Sequence, residues 1–368
     1  MTTARINRLK DLLSTAGLDA LVLNPGPSMV YLTGLHLHLM ERPMVVIFTP
    51  TGESALVIPE LEIAKAQNLP FSPQVFTYND DPSTWAAVYR KACAALHLDG
   101  KTIGVEPARL RVLELRMLES GAPQAHFVSA QASLAVMRMQ KDAGEIASMR
   151  KAVRIAQDAL TATLPRIKVG VTEKEIASEL MMQLLRAGCD ADVAFDPIVS
   201  GGPNSANPHA SPSDRALVTG DLLVIDWGAM SDGYVSDLTR TFAIGKMDAE
   251  LARITSLVLD ANAAGRAAGR PGLPAGAVDH AARAVIAQGG YGPFFTHRVG
   301  HGLGMEGHEE PYMYAENTLL LAEGMTYTVE PGIYLLGRNG VRIEDDVVVT
   351  AAGSESLSDM PRPVVVID

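Results

Sequence analysis

Five residues in the C-terminal part of the chain have side chains that divalent cations prefer as ligands. They are four carboxylates and one imidazole: Asp226, Asp237, His301, Glu330 and Glu344. Carboxylates bridge hard cations, and a single imidazole adds one borderline ligand of the kind that Mn, Co and Zn sites tolerate. Four acids in one pocket repel one another unless positive charge lies between them. The set therefore predicts a two-metal hydrolytic centre.

The two aspartates lie in a segment that is predicted to form a β-hairpin. Residues 222–226 are typical of a strand, 230–233 of a turn and 234–242 of the return strand. A hairpin that folds at the middle of this turn sets Asp226 directly opposite Asp237, with Cβ atoms roughly 5 Å apart. Because like charges at that distance destabilise a hairpin, this pairing also favours a cation between them.

The two glutamates lie on either side of a second, glycine-rich turn. A two-residue Asn-Gly turn would pair Glu330 with Val349, whereas a wider loop centred near Gly337 would bring Glu330 to Glu344. The sequence leaves both registers open. Arg342 shares a strand face with Glu344 and is expected to hold a carboxylate from behind, the alternative being an ordinary surface arginine.

Histidines cluster close to the candidate ligands. Of the nine in the chain, His297, His301 and His308 fall within twelve residues of a glycine-rich stretch, where the backbone leaves room for a ligand. His209 follows Pro208 in the irregular segment SGGPNSANPHASP. One histidine can ligate a metal, and the others are placed to donate hydrogen bonds to a carbonyl or its oxyanion.

Bulk properties exclude several classes of protein. The 368 residues suggest two domains, and 47% apolar residues with no low-complexity segment argue against disorder. A net charge of −11 argues against nucleic-acid binding, which needs a basic surface. The chain has no apolar run of about 18 residues, so a membrane partner is not expected.

The cysteine content and the start of the chain favour a cytoplasmic location. The two cysteines, Cys93 and Cys189, are far apart and suit a reducing compartment. The opening MTTARINRLKDLL reads as an amphipathic helix with charges throughout, and not as a secretory signal.

Element patterns divide the chain at about residue 135. The first part alternates helix and strand patterns and predicts an α/β domain, with helices near 5–16 and 84–96 and strands near 21–23, 45–48, 55–58 and 103–105. This part contains no metal-ligand spacing, and we expect it to shape the substrate site and support the structure. We therefore assign residues 1–135 to an N-terminal domain and 136–368 to a catalytic domain.

The second part begins with two capping boxes, Asp142 with Glu145 and Thr172 with Glu175, each of which opens a helix. Runs of helices and antiparallel strands follow and predict an α+β domain, with helices near 248–268 and 276–288 and strands near 222–226, 234–243, 325–330 and 341–349.

Several segments, in chain order, resemble the pita-bread metallopeptidases of family M24B, and within them the Xaa-Pro peptidases (aminopeptidase P and prolidase). LDALVLNPGPSMVYLTGL is similar to the start of their creatinase-like N-terminal domain. The rest of the resemblance is carried by FDPIVSGGPNSANPH, VIDWGAMSDGYVSDLTRTF, HRVGHGLGMEGHEEP, EGMTYTVEPGIY and GVRIEDDVVV. It implies a C-terminal α+β pita-bread domain, a smaller N-terminal α/β domain and, usually, a homodimer.

The resemblance also implies a role for each candidate residue. Asp226 would bind the first of two metal ions and His301 the second, with Mn expected and Co or Zn possible. Glu330 would bind the second metal and pass a proton from the nucleophilic water or hydroxide to the leaving nitrogen, while Asp237 and Glu344 would bridge both ions. The substrate would be contacted at its scissile carbonyl by His308 and surrounded by His209 and His297, with Tyr334 and Arg342 behind them.

Related folds without this activity fit the sequence less well. Creatinase and the non-catalytic binding proteins of the same fold lack the metal-ligand set, which is complete here. Methionine aminopeptidases keep the ligands but generally lack the N-terminal domain. Peptides with proline at the second position are therefore the expected substrates.

Residues after His308 bear on which Xaa-Pro peptides are cleaved. A dipeptidase needs an arginine for the free carboxylate of the proline, and in the short microbial prolidases it follows the HE-x-P motif directly. Here that position is Tyr312, after the acids Glu309 and Glu310. The sequence thus favours an X-prolyl aminopeptidase. The alternative is a prolidase in which Arg298 captures the carboxylate.

Overall fold

The computed structural model describes residues 2–191 and 193–368. They form two compact units, one that ends at Arg138 and one that begins at Met139.

The first unit is built on a six-stranded sheet with the order β4-β3-β2-β1-β5-β6. Its strands are β1 (Ala20–Leu23), β2 (Val45–Phe48), β3 (Ser54–Pro59), β4 (Gln74–Tyr78), β5 (Thr102–Val105) and β6 (His126–Ser129). Its helices are α1 (Thr2–Ala16), α2 (Pro27–Thr33), α3 (Pro82–Ala95), α4 (Val112–Gly121) and α5 (Gln131–Met139). The predicted alternation of helices and buried strands is confirmed.

Short continuous apolar runs explain the centre of this sheet. Every residue of β1, β2 and β3 is buried, as expected of strands that are covered on both faces. Helix α1 buries Leu9 and Leu13, which lie one turn apart on its apolar face.

The second unit contains four long helices and the remaining strands. The helices are α6 (Ala143–Thr163), α7 (Glu173–Arg186), α8 (Ala249–Ala268) and α9 (Gly276–Gln288). The strands are β7 (Ile198–Gly201), β8 (Leu222–Trp227), β9 (Met230–Ser231), β10 (Tyr234–Val235), β11 (Leu238–Ile244), β12 (His301–Gly302), β13 (Glu309–Tyr312), β14 (Thr326–Val329), β15 (Gly332–Leu335), β16 (Asn339–Arg342), β17 (Asp345–Thr350), β18 (Gly353–Ser356) and β19 (Val365–Ile367).

Two sheets dominate this unit, and both carry candidate ligands. One has the order β19-β11-β8-β7 and the other β13-β12-β14-β17-β18, while β9 pairs with β10 and β15 with β16 in two short ladders. Helices beside mainly antiparallel strands confirm the predicted α+β class.

Both predicted capping boxes are present. The Asp142 carboxylate accepts hydrogen bonds from the first turn of α6, and Thr172 does the same for α7. Helix α6 then buries Met149, Val153 and Leu160 in the core of the unit. These caps fix where the two helices begin and therefore which faces they turn to the sheet.

The predicted pairing of the two aspartates is wrong by two residues. Asp226 lies opposite Thr239, and the expected return strand is divided into β10 and β11. The reason is the turn, which is formed by Asp232 and Gly233 with φ of 54° and 77°. Two positive φ values are those of a tight hairpin turn that favours Asp-Gly. A shift of two residues leaves Asp226 and Asp237 on the same face of the sheet.

The register that the sequence left open for the glutamates is the wider loop. Val329 lies opposite Asp345, and Gly332 lies opposite Arg342. Both ladders therefore set Glu330 across from Glu344, with the turn centred on Gly337, whose φ is 74°.

None of the helices within residues 2–191 and 193–368 combines the length and apolar character that a membrane crossing requires.

Candidate metal centre

All five candidate ligands line one cavity of about 660 Å³ in the second unit. Asp226 comes from β8 and Asp237 from the residue before β11, so both reach the cavity from the same sheet. His301 begins β12, and Glu330 and Glu344 come from connections beside β14 and β17. Two sheets therefore supply the ligands, which is why they are so far apart in sequence.

The ligand atoms are close enough to share cations. Three groups, Asp226/Asp237/Glu344, His301/Glu330/Glu344 and Asp237/His301/His308, each have donor atoms within 4.8 Å of one another. His301 Nε2 lies 3.7 Å from an Asp237 oxygen and 3.4 Å from a Glu330 oxygen. Each group could hold a metal ion, and Asp237, His301 and Glu344 each belong to two of the groups.

One nitrogen of His301 is free to act as a ligand. Its Nδ1 lies 3.1 Å from the Gly302 carbonyl, which can only accept, so Nδ1 carries the proton. The lone pair of Nε2 then points to the carboxylates. Burial and the neighbouring His308 lower the pKa of His301 to about 3, so the ring is neutral at physiological pH.

Burial is the main cause of the raised pKa values of three carboxylates in the cavity. Burial raises the pKa of Asp237 and of Glu344 well above the usual range, and the neighbouring acids raise both further. Burial also raises the pKa of Glu330 to about 7. Each group is shifted toward its protonated form, as expected where carboxylates are buried close to one another.

A cationic side chain, Arg342, lies directly against this cluster. The Arg342 guanidinium, itself buried, lies 2.6 Å from Asp226 Oδ2 and donates to the Tyr334 hydroxyl at 3.0 Å. Tyr334 in turn bonds to Nε2 of His297, whose Nδ1 donates to the Arg298 carbonyl. Arg342, Tyr334 and His297 thus form a continuous hydrogen-bonded chain that starts at Asp226.

The surroundings of one Asp226 oxygen indicate that the five candidate ligands suit a cation. Asp226 Oδ1 is buried and has no hydrogen-bond partner among the described residues, although its other oxygen is held by Arg342. A buried carboxylate oxygen without a partner is costly, and a cation in the cavity would satisfy it. One imidazole and several carboxylate oxygens are a donor set that Mn, Co or Zn accepts.

The remaining histidines occupy the mouth of the cavity. His209, His297 and His308 all line it, and the ring of His308 stacks on that of His301 with centroids 3.7 Å apart. Burial and the nearby Arg298 lower the pKa of His308. The opposite wall is apolar and consists of Ala194, Phe195, Ile198 and Pro208.

Tyr312 does not line the cavity, but it supports a residue that does. The Arg298 guanidinium lies over the Tyr312 ring, 4.3 Å from its centroid, and 3.5 Å from Nδ1 of His308. The acids next to His308 are also occupied elsewhere. Glu309 pairs with the buried Lys141 at 2.6 Å, and Glu310 accepts the backbone N–H of Tyr312.

Three contributors were missed by the sequence reasoning: Thr239, Arg240 and Phe195. The Thr239 hydroxyl donates to Glu344 at 2.6 Å, and Arg240 donates to the Glu344 carbonyl while pairing with the buried Asp345. Thr239 follows Asp237 by two residues and so shares its face, a signal that could have found it. Phe195 lies in irregular backbone, and no periodic pattern points to it.

Comparison with protein families gives two matches that together span most of the chain. The model of metallopeptidase family M24 matches residues 147–351, and the creatinase/prolidase N-terminal domain matches residues 5–140. They confirm the predicted fold class, a pita-bread domain that follows a creatinase-like domain.

Individual proteins match over nearly their whole length. A putative dipeptidase of Bacillus subtilis, YkvY, is 34% identical over 99% of each chain. The crystal structure of a prolidase from Thermococcus sibiricus is 30% identical, with a TM-score of 0.94 over 100% of this chain and 99% of that one. An X-Pro aminopeptidase from Thermotoga maritima is 33% identical, with a TM-score of 0.85 over 98% and 99%.

The raised pKa of Glu330 predicts how stability depends on pH in chelated protein. Between its ordinary value of 4.5 and about 7, the folded chain holds a proton that the unfolded chain has lost. This group therefore makes the folded state less stable as pH rises through that window. Urea-unfolding midpoints measured with chelator should fall less steeply over this range in Glu330→Gln than in wild type. Glu323→Gln, which alters an exposed acid, is the control, and equal slopes for Glu330→Gln and wild type would refute the assignment.

Proposed function

The chain belongs to metallopeptidase family M24, and we propose that it is a metal-dependent dipeptidase that hydrolyses Xaa-Pro dipeptides. The position of Arg298 carries this proposal. Two further facts support it: the similar proteins from Bacillus subtilis and Thermococcus sibiricus are named a putative dipeptidase and a prolidase, and the N-terminal match disfavours a methionine aminopeptidase.

We assign two divalent cations to the five ligands, with Mn expected and Co or Zn acceptable. Asp226 would hold the first ion, His301 and Glu330 the second, and Asp237 and Glu344 both. When bound, the ions would polarise the scissile carbonyl and lower the pKa of the attacking water.

Side chains of the protein would then transfer the proton and donate a hydrogen bond to the carbonyl oxygen of the substrate. Glu330 would carry a proton at its carboxylate oxygen to the leaving proline nitrogen. His308, stacked on His301, would donate to the carbonyl oxygen. The apolar wall around Phe195 and Pro208 would exclude water beside the proline ring.

Arg298 would capture the free carboxylate of the proline. Its guanidinium lines the cavity and is held over the Tyr312 ring, and a fixed guanidinium fork suits bidentate carboxylate binding. The sequence argument that acids after His308 would repel this carboxylate loses its force, because Glu309 is neutralised by Lys141. The sequence argument for an aminopeptidase rested on Tyr312, but the ring of this residue packs against the Arg298 guanidinium and would hold it in place.

An X-prolyl aminopeptidase is the second candidate. The similar structure from Thermotoga maritima is named an X-Pro aminopeptidase and has the same fold. The same metal set would serve that reaction, and only the far end of the substrate differs. A homodimer, a cytoplasmic location and the domain boundary at residue 135 remain predictions.

Removing a metal ligand should abolish turnover without unfolding the chain. Asp237→Ala and His301→Ala each remove one donor of the proposed ligand set, and we expect Xaa-Pro hydrolysis to fall to background. Circular dichroism should show the wild-type helix content. Wild-type turnover by either variant would overturn the ligand assignment.

Substrate length separates the two candidates. We expect Mn-supplemented enzyme to cleave Ala-Pro and to leave Ala-Pro-Ala largely intact, because the onward peptide bond removes the carboxylate that Arg298 would bind. Chromatography of both digests, with a chelated control, gives the answer. Cleavage of the tripeptide alone would establish the aminopeptidase.

The role of Arg298 can be tested by its removal. Arg298→Ala should raise KM for Ala-Pro by about ten- to a hundredfold, the effect of one lost charge-assisted hydrogen-bonded contact. The KM of any residual Ala-Pro-amide cleavage should change much less. Arg338→Ala, which removes an arginine paired with Glu250 outside the cavity, is the matched control. Equal losses on the acid and the amide would refute carboxylate capture.

A further inference from the structure

We propose that Glu173 is a positioning residue whose buried carboxylate anchors the loop that presents Pro208 and His209 to the cavity. This loop, residues 201–213, joins the end of β7 to the segment that leads into β8. Glu173 does not line the cavity. It lies at the first position of α7 and is completely buried.

Four hydrogen bonds converge on this carboxylate from both ends of the loop. Gly201 N donates to Oε1 at 2.6 Å. Oε2 accepts from Asn204 Nδ2 at 2.8 Å, from Ser213 N at 2.9 Å and from Ser213 Oγ at 2.6 Å. One side chain thus connects the first and last residues of the loop.

A carboxylate is the chemical group that this position requires. All four partners are donors, and an ionised carboxylate offers about four acceptor sites and no donor. Its charge is also favourable at the N-terminus of α7. A glutamine would direct an N–H₂ group at one of these donors and leave that donor without an acceptor.

The tip of the loop is held separately. Arg342 donates to the Pro208 carbonyl at 3.2 Å, and Gly340 N donates to Ser205 Oγ at 2.8 Å. His209 follows Pro208, lies between the Arg342 attachment and the Glu173-bound Ser213, and is itself exposed. Arg342 holds the tip, whereas the base is held by the Glu173 carboxylate together with the pairing of Gly201 with Leu223 and the Lys174 N–H donated to the Ser213 carbonyl. Of these contacts only the Glu173 carboxylate binds both ends of the loop, and a loosened base would let His209 move out of the cavity.

Glu173→Gln tests this anchor, with Glu175→Gln as the matched control. Both changes remove one negative charge from the first turn of α7. Glutamine, however, serves as well as glutamate at the capping-box position of Glu175. Ser213→Ala, which deletes one of the four donors, is a milder variant that keeps the test valid if Glu173→Gln folds poorly.

The first readout is amide hydrogen exchange. Glu173→Gln, and Ser213→Ala to a lesser degree, should accelerate exchange in peptides that cover residues 201–213, whereas Glu175→Gln should match wild type. Unchanged exchange in Glu173→Gln would overturn the anchor. This measurement needs no turnover, so it decides the matter even where the proposed Xaa-Pro activity fails.

The second readout rests on the proposed function and separates positioning from simple destabilisation. Glu173→Gln should raise KM for whichever Xaa-Pro peptide is cleaved by roughly tenfold, the equivalent of one buried hydrogen bond, with a smaller change in kcat. In a His209→Ala background the same substitution should add no further increase. Independent, additive effects of the two changes, or an unchanged KM beside faster exchange, would overturn the positioning role.

Discussion

The burial of several carboxylates close to one another is the constraint on which the rest of the second unit depends. Asp226, Asp237, Glu330 and Glu344 line a single cavity, and the raised pKa values of the last three express how unfavourable this is without bound cations. Such a cluster persists only when the surrounding fold holds each side chain in place. The two sheets therefore hold the carboxylates in an arrangement that is unfavourable without a counter-charge, and a bound cation would lower its free energy.

The supporting structure consists largely of buried charges and their partners. Arg342 reaches Asp226 from β16, and Arg240 on β11 holds the backbone of Glu344. Asp345, fully buried, binds Arg240 and Arg362, which secures the start of β17 beside the ligand. Burying these ions costs free energy, and such networks are retained where one geometry has to be specified. Here that geometry is the spacing of the ligand oxygens.

Patterns of neighbouring residues predicted the helices and strands well, and the predictions that were wrong have physical causes. Capping boxes at Asp142 and Thr172 and the apolar runs of β1 to β3 depend on nearby residues, so they could be read directly. The five candidate ligands could be listed because their chemistry is distinctive. The predicted register between Asp226 and Asp237 was wrong because it placed the turn over residues 230–233. The left-handed backbone of Asp232 and Gly233 makes a two-residue turn, and the Asp-Gly pair is a signal for it that the sequence contains. The positions of Arg298 and Glu309 depend on partners more than ten residues away, Tyr312 and Lys141, which no local pattern reveals.

The two hairpins that deliver the ligands differ in how much change in length they tolerate. In the aspartate hairpin the turn has only two residues, and the ladder begins at once with Ser231 and Tyr234. One inserted residue there would exchange the two faces of a strand and carry an aspartate out of the cavity. The turn at Gly337 is wider and projects Leu336, which is 85% exposed, and its ladder from Leu335 to Gly332 fixes the register independently. Related sequences should therefore carry inserted residues in the turn of the glutamate hairpin and none in the turn of the aspartate hairpin. An engineered tag should likewise be tolerated only in the turn of the glutamate hairpin.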